Sequence, residues 1–366
     1  MRAIALILAT VVVSAPGPTR PGPGGPGLLR AIDTAIGQEP PRPSFADWLN
    51  GVRSEALSRG ISQEILDEAF GGFEEPLPII IERDRSQAEL LTPLEEYVGR
   101  RVTPAVVKTA RELYARHRTL LDKVAERYGV PGPVIVAVWG IESNFGRFSG
   151  VRPTIQALAT LAWDPRRSTL FRSELFDGLE ILNRGYIDIG HMRGSWAGAM
   201  GQVQFMPSSY LKFAEDFDGD GRRDIWSSPP DIFASIANFL KGHGWTADQE
   251  WGREVHVPAE GATKITAEVP RRAGSCQATR DMTTALPAEE WARFGVVSTG
   301  RGALPASLGQ ASLVSGTSRH FLVFGNYDAL LEYNCAHAYA ISVGLLADKI
   351  APSKPVARSA KASRHK

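Results

Sequence analysis

The chain has 366 residues, 43% of them hydrophobic, which suffices for one large domain or two modest ones around a packed core. Its 41 Lys and Arg nearly balance 40 Asp and Glu, so no global field draws it to nucleic acid or anionic lipid, and no nucleic-acid partner is expected. Two cysteines, Cys276 and Cys335, are too few for a disulfide framework or a zinc site. They either pair in an oxidising compartment or stand as two separate thiols.

The first fifteen residues, MRAIALILATVVVSA, have a basic start, an apolar centre and small residues at the end, the pattern of a secretory signal. Pro16 follows directly and fits poorly after a cleavage site, so either the cut lies elsewhere or the segment stays as an anchor. Both readings place the protein outside the cytoplasm. Residues 16–43 open on PGPTRPGPGGPG and have little to bury, as a disordered linker does. Ser44 then stands where it can cap a helix over FADWLNGVRSEAL. VTPAVVKTARELYARHRTLLDKVAERYG carries Pro104 near its start, a helical apolar period and a closing Gly129.

The next stretch, VIVAVWGIESNFGR at 134–147, is uncharged from Val134 to Ile141 and then places Glu142. A helix over 133–145 puts Val138, Trp139 and Phe145 on the face of Glu142. A carboxyl among such groups is desolvated and holds its proton more tightly, which suits a general acid. The competing reading is a surface glutamate at a helix end. A further helix is expected over 168–185, STLFRSELFDGLEILNRG.

DFDGDGRRD sets Asp216, Asp218 and Asp220 at alternate positions, with Gly221 at the sharp turn. Hard oxygens at this spacing suit calcium, with a backbone carbonyl from Arg222 and a direct or water-borne ligand from Asp224. The twelfth position is Ser227 rather than glutamate, so a solvated acidic turn stays open as the alternative. Between 251 and 325, REVHVP, TKITAEV and FLVF alternate or cluster apolar and β-branched residues between Gly/Pro breaks, as short strands do. The helical pattern returns in HAYAISVGLLADKI, 337–350. The basic tail 351–366 has no apolar period and reads as solvated disorder. The histidines show no metal-site spacing.

WGIESNFGR resembles the catalytic segment of the B-type lytic murein transglycosylases of the lysozyme-like superfamily. ERDRSQAE, GSWAGAMGQVQFMPSSY at 194–210, DFDGDGRRDIW, ANFLKGHGW at 237–245 and LEYN match other segments of that family in order, over roughly residues 45–350. The resemblance implies an α+β fold, mainly α: a lysozyme-like helical catalytic region over 44–350 with a small β subdomain near 251–325. It implies a periplasmic lyase that cleaves the β-1,4 bond between N-acetylmuramic acid and N-acetylglucosamine and leaves 1,6-anhydromuramyl ends. Glu142 would protonate the leaving oxygen and later deprotonate the C6 hydroxyl, while the acetamido oxygen of the sugar holds the anomeric centre. No Asp or Glu follows Glu142 before Asp164. That is compatible with a one-carboxylate mechanism, although the fold can bring a partner from elsewhere. The rivals are a muramidase using water on the same bond and a peptidoglycan-binding scaffold without turnover.

The same match assigns Ser195 and Gln204 to the cleft wall, against a helix cap and a buried structural amide. Tyr333 and Asn334 would orient the acetamido group, and Tyr97 would line the cleft, against an exposed tyrosine. Arg166 and Arg167 correspond to a saccharide-contacting pair, or form an ordinary exposed pair in a loop. Phe239 stands where the family usually has a cleft tyrosine; its ring could still stack, but it has no hydroxyl to offer the sugar. Met200, Phe205 and Met206 read as core. Asp231 is the later aspartate that closes the calcium loop in the family, giving calcium a structural role. No organic cofactor is implied. The expected partners are peptidoglycan glycan strands and cell-wall synthesis or remodelling proteins, with the chain itself a monomer.

Overall fold

The computed structural model describes residues 43–86, 92–247 and 249–350; the expected signal, most of the linker and the basic tail lie outside them. The Gly132–Ser143 helix is apolar around its whole circumference, and a helix of that kind is stable only when covered on all sides. The helices Pro104–Arg116, Arg118–Tyr128, Pro229–Gly242 and His337–Ile350 pack around it. Ile135, Val136, Ala137 and Val138 are completely buried as a result. Beside this bundle, Thr154–Trp163 and Ser168–Asn183 form an extensively packed pair. The fold is mainly helical with small antiparallel sheets. Among the described residues, no helix is long and apolar enough to cross a membrane.

Local signals behave as their chemistry requires. The Ser44 hydroxyl accepts the Asp47 amide and caps Phe45–Ser58. Gly129 closes Arg118–Tyr128 in the left-handed conformation. The periodic run from 103 to 129 breaks at His117 into two helices. The His117 ring sits edge-on to Phe233 and Trp139, at 5.3 and 6.3 Å between centroids. The break lets the two halves take different sides of the central helix. Ser168 opens its helix, while the capping position is Arg167, without a side-chain cap.

Strands β1 (Arg152–Pro153) and β2 (Arg193–Gly194) form a short antiparallel ladder. β3 (Gly252–His256), β4 (Val297–Ser298), β5 (Ser312–Ser315) and β6 (His320–Val323) form an antiparallel sheet in the order β4-β3-β6-β5. A second apolar cluster lies here, with Val255, Leu313, Leu322 and the fully buried Trp291. TKITAEV does not contribute a strand; it falls in the helix Ala259–Glu268 and the residue after it. Its buried positions, Gly261, Ile265 and Val269, recur every fourth residue. The Thr263 and Thr266 hydroxyls donate to carbonyls one turn back. A four-residue period outweighs β-branching once a face is available to bury it.

Cys276 and Cys335 are joined in a disulfide across 59 residues, with Cα atoms 6.3 Å apart. It ties the β-containing region to the chain immediately after Tyr333 and Asn334. Under the loop-entropy account, Cys335→Ser is expected to lower unfolding free energy by about 2–4 kcal/mol. Denaturant melts of the oxidised wild type and the variant measure this, and a reductant should abolish most of the difference.

Candidate active site

The central helix ends abruptly. Asn144, Phe145 and Gly146 take φ of 50°, 59° and 80° in succession, so the chain folds back over the last turn. The Ser143 hydroxyl donates to the Trp139 carbonyl and accepts the Gly146 amide, holding that reversal. Glu142 is thereby left half-buried on the wall of a cavity of about 510 Å³. Tyr97, Arg101, Ser195, Gln204, Tyr333, Asn334 and Tyr339 line the same cavity. Among the described lining residues Glu142 is the only carboxylate.

Tyrosines crowd this carboxylate. Burial, and then the charge of Glu142, hold the Tyr333 and Tyr339 phenols well above the ordinary tyrosine range, so both stay protonated. The Tyr333 hydroxyl donates to the Val203 carbonyl at 2.8 Å. The Tyr339 hydroxyl is buried against Glu142. Arg101 reaches across the wall and donates to the Ile141 carbonyl at 2.7 Å, its guanidinium 5.6 Å from the centre of the Tyr97 ring. It thus ties the Leu94–Arg101 helix to the end of the helix that carries Glu142. Two residues before Tyr97, Glu95 accepts the Ser318 and Arg319 amides at the β5–β6 turn. That contact anchors the sheet to the cleft.

The opposite wall is backbone-rich. The Ser195 amide donates to the Ala199 carbonyl, its carbonyl accepts the Gly198 amide, and its hydroxyl oxygen accepts the Ala197 and Ala199 amides. It therefore serves as a turn cap and a cavity residue together. Gln204 adopts φ 52°, unusual for a side chain of its size, and its amide nitrogen donates to the Gly201 and Ser149 carbonyls. Met206 contributes to the lining although nearly buried, while Met200 and Phe205 are core.

Several expected positions differ. Val138, Trp139 and Phe145 are buried behind the helix and do not line the cavity; tyrosines surround Glu142 on its open side. Phe239 is not a cleft residue either. It is 4% exposed and packs beneath Tyr333, with ring centroids 4.6 Å apart, so an added hydroxyl there would face core. Arg166 and Arg167 both pair with the buried Asp84, and Arg166 also approaches Asp164 at 3.5 Å. Neither arginine is among the cavity-lining residues. The pair is held by the protein's own carboxylates.

In the acidic loop, carboxylate oxygens of Asp216, Asp218 and Asp231 lie within 4.8 Å of one another. Asp231 is 1% exposed, on the first turn of Pro229–Gly242. Asp220 and Asp224 are outside that group: Asp220 accepts the Arg222 amide, and Asp224 accepts the Trp226 and Ser227 amides. Asp231 accepts the Phe217 and Asp224 amides. Burial, with a smaller push from Asp218 and Asp216, raises its pKa to about 6. The three-aspartate cluster is a set of hard oxygens short of positive charge, and it fits a calcium ion.

Sequence patterns passed over Tyr339, Arg101 and Gln202. Tyr339 reads as one more apolar position in a helical run, and only its placement six residues after Tyr333 hints at a common target. Gln202 accepts the Trp139 indole N–H at 2.8 Å and donates to the Trp226 carbonyl at 2.6 Å.

Comparison with known proteins gives concordant results. Residues 44–348 match the family described as transglycosylase SLT domain. Membrane-bound lytic murein transglycosylase B of Escherichia coli K12 is 39% identical over 161 residues, which are 44% of this chain and 43% of that one. The aligned stretch thus spans less than half of that relative. SltB3 from Pseudomonas aeruginosa, solved in complex with NAG-anhNAM-pentapeptide, is 39% identical with a TM-score of 0.74, covering 84% of this chain and 79% of SltB3. E. coli Slt35 in complex with calcium is 27% identical with a TM-score of 0.69, over 83% of this chain and 92% of that one.

The wall beside Gln204 depends on Gly150, at φ 92°, where a Cβ would lie 2.0 Å from the Gly194 carbonyl carbon. Gly150→Ala is expected to cost roughly 2–4 kcal/mol, from an overpacked contact plus a left-handed side chain. Thermal unfolding of the variant checks it.

Proposed function

This chain belongs to the transglycosylase SLT domain family, with the B-type lytic murein transglycosylases, and we propose that it cleaves the MurNAc-β-1,4-GlcNAc bond of peptidoglycan to leave 1,6-anhydromuramyl ends. The observation that carries this reading is Glu142, the single carboxylate among the described lining residues, faced by Tyr333 and Tyr339, which stay protonated. Of the described groups on the wall, Glu142 is the carboxylic acid and so the candidate to give and take a proton. An ordinary two-carboxylate glycosidase needs its second acid within ~5–9 Å, and the described wall offers none.

The chemistry then runs through one residue. Protonated Glu142 gives its proton to the glycosidic oxygen as the C1–O bond breaks. The acetamido oxygen of the muramyl sugar closes on C1 and holds the developing positive charge. The C6 hydroxyl next attacks C1, displaces the acetamido oxygen and yields its proton to Glu142, which is restored. Tyr333 and Asn334 orient the acetamido group, Tyr97 offers its ring face and hydroxyl to the sugar, and the buried Tyr339 hydroxyl stands beside Glu142. Ser195 and Gln204 supply polar contacts on the opposite wall. The SltB3 relative was solved with NAG-anhNAM-pentapeptide, a ligand of the kind such a reaction yields. That supports the anhydro product and a glycan carrying peptide stems.

Calcium has a structural role in this reading. Asp216, Asp218 and Asp231 would hold it between the helices Pro207–Phe213 and Pro229–Gly242, and its charge would relieve the repulsion among them. The Slt35 complex with calcium supports the ion's identity. The basic and apolar N-terminal pattern supports export to the periplasm, as a soluble protein or on an N-terminal anchor.

Mass spectrometry of soluble products from purified peptidoglycan tests the reaction. Anhydromuropeptides are expected from the wild type and none from Glu142→Gln; reducing-end muropeptides would make the enzyme a hydrolase instead. For the ion, calcium chloride at 100 times its Kd should stabilise the wild type by about 2.7 kcal/mol. Most of that gain should vanish in Asp218→Asn, an exposed position where removing the charge perturbs packing little.

A further inference from the structure

Gln202 lies outside the cavity lining, yet it connects two parts of the molecule that the chemistry and the acidic loop use separately. Its Oε1 accepts the indole N–H of Trp139, three residues before Glu142 on the same helix, at 2.8 Å. Its Nε2 donates to the carbonyl of Trp226 at 2.6 Å, and its backbone N–H donates to the carbonyl of Ile225 at 2.8 Å. Both carbonyls follow directly on Asp224, whose amide is bound by the clustered Asp231. The side chain also packs under the turn that reverses the chain after Glu142: a Cβ on Gly146 would lie 2.2 Å from Gln202 Oε1. Trp139 is clamped from the other side by the rings of Phe145, Phe233 and His117. Its indole N–H is therefore a polar attachment, beside the Arg101 bond to the Ile141 carbonyl, of a helix held mainly by apolar contact.

We propose that Gln202 is a positioning residue for Glu142, coupling the acidic loop at 216–231 to the end of the catalytic helix through the Trp139 indole. An amide suits the task because it is acceptor and donor at once, and Trp139 offers only a donor while the Trp226 carbonyl offers only an acceptor. The proposal rests on the reading of Glu142 as the acid and, for its ion response, on calcium in the loop.

The test uses the full chain with ¹⁵N-indole tryptophan, following the Trp139 N–H resonance (assigned with Trp139→Phe) during a calcium chloride titration. In the wild type this resonance should move with the same midpoint as the calcium-dependent rise in Tm. In Gln202→Leu it should shift upfield and stop responding, while calcium still raises Tm. Turnover of a soluble muropeptide should fall about tenfold, the scale of a small misplacement of a catalytic group. Muropeptide affinity, measured in a Glu142→Gln background, should stay within about twofold because Gln202 touches no cavity surface. Gln202→Glu keeps the acceptor and removes the donor, so it should retain the hydrogen-bonded Trp139 resonance and abolish its calcium response. If the leucine variant does not fold, the glutamate variant decides alone. Unchanged turnover in the variant that folds, or a wild-type Trp139 resonance that ignores calcium while Tm rises, overturns the proposal. Persistent activity of Glu142→Gln would instead refute the acid assignment. A wild-type Tm indifferent to calcium would remove the ion from the reading, and turnover of the Gln202 variants would then decide the positioning role.

Discussion

Burial of the Gly132–Ser143 helix on every side is the constraint from which the rest of the molecule follows. A helix uncharged until its last turn must be covered by neighbours all round, and four helices, two just before it in the chain and two far after it, do so. Only its end reaches the cavity. The three consecutive residues of positive φ after Ser143 stop the helix and turn the chain away, which leaves Glu142 at the edge of a rigid rod. A carboxylate so placed has little freedom to swing, which is what preorganised acid chemistry asks of it.

The walls inherit that rigidity by different means. On one side the Leu94–Arg101 helix joins rod and sheet: Arg101 binds the last turn of the rod, and Glu95 binds the β5–β6 turn. On the other, Ser195 and Gln204 spend part of their hydrogen-bonding capacity on backbone, so their positions are fixed before any sugar arrives. Tyr333 is seated on Phe239 and Phe205 and anchored through its hydroxyl. Most of the polar groups facing the cavity are thus held by something other than substrate. The cost of ordering them is met during folding.

The sequence made some of this legible and hid the rest for identifiable reasons. The carboxylate at the end of an apolar run, the caps at Ser44 and Gly129 and the helix His337–Ile350 depend on local pattern, and the structure has them where the pattern places them. Asp231 among the clustered aspartates reflects a loop pattern plus one resemblance. What failed was knowledge of facing. Phe239 packs under a cavity residue, Tyr333, on a helix that itself contributes no described lining residue, and position in the chain does not reveal that depth. The arginine pair at 166–167 is claimed by Asp84, 82 residues before Arg166, which no local window contains. TKITAEV is β-branched and short, and its true period shows only against the face it covers. Tyr339 and Gln202 matter through partners far off in the chain.

The bond between Cys276 and Cys335 sits one residue beyond Asn334, on the wall that Tyr333 and Asn334 share. Its formation depends on the redox state of the surroundings rather than on the amino-acid pattern alone. In a thiol-rich cytosol this wall would lack its staple; under oxidising conditions it acquires one. The redox state of the surroundings thus decides whether the cavity wall at Tyr333 and Asn334 carries its covalent brace.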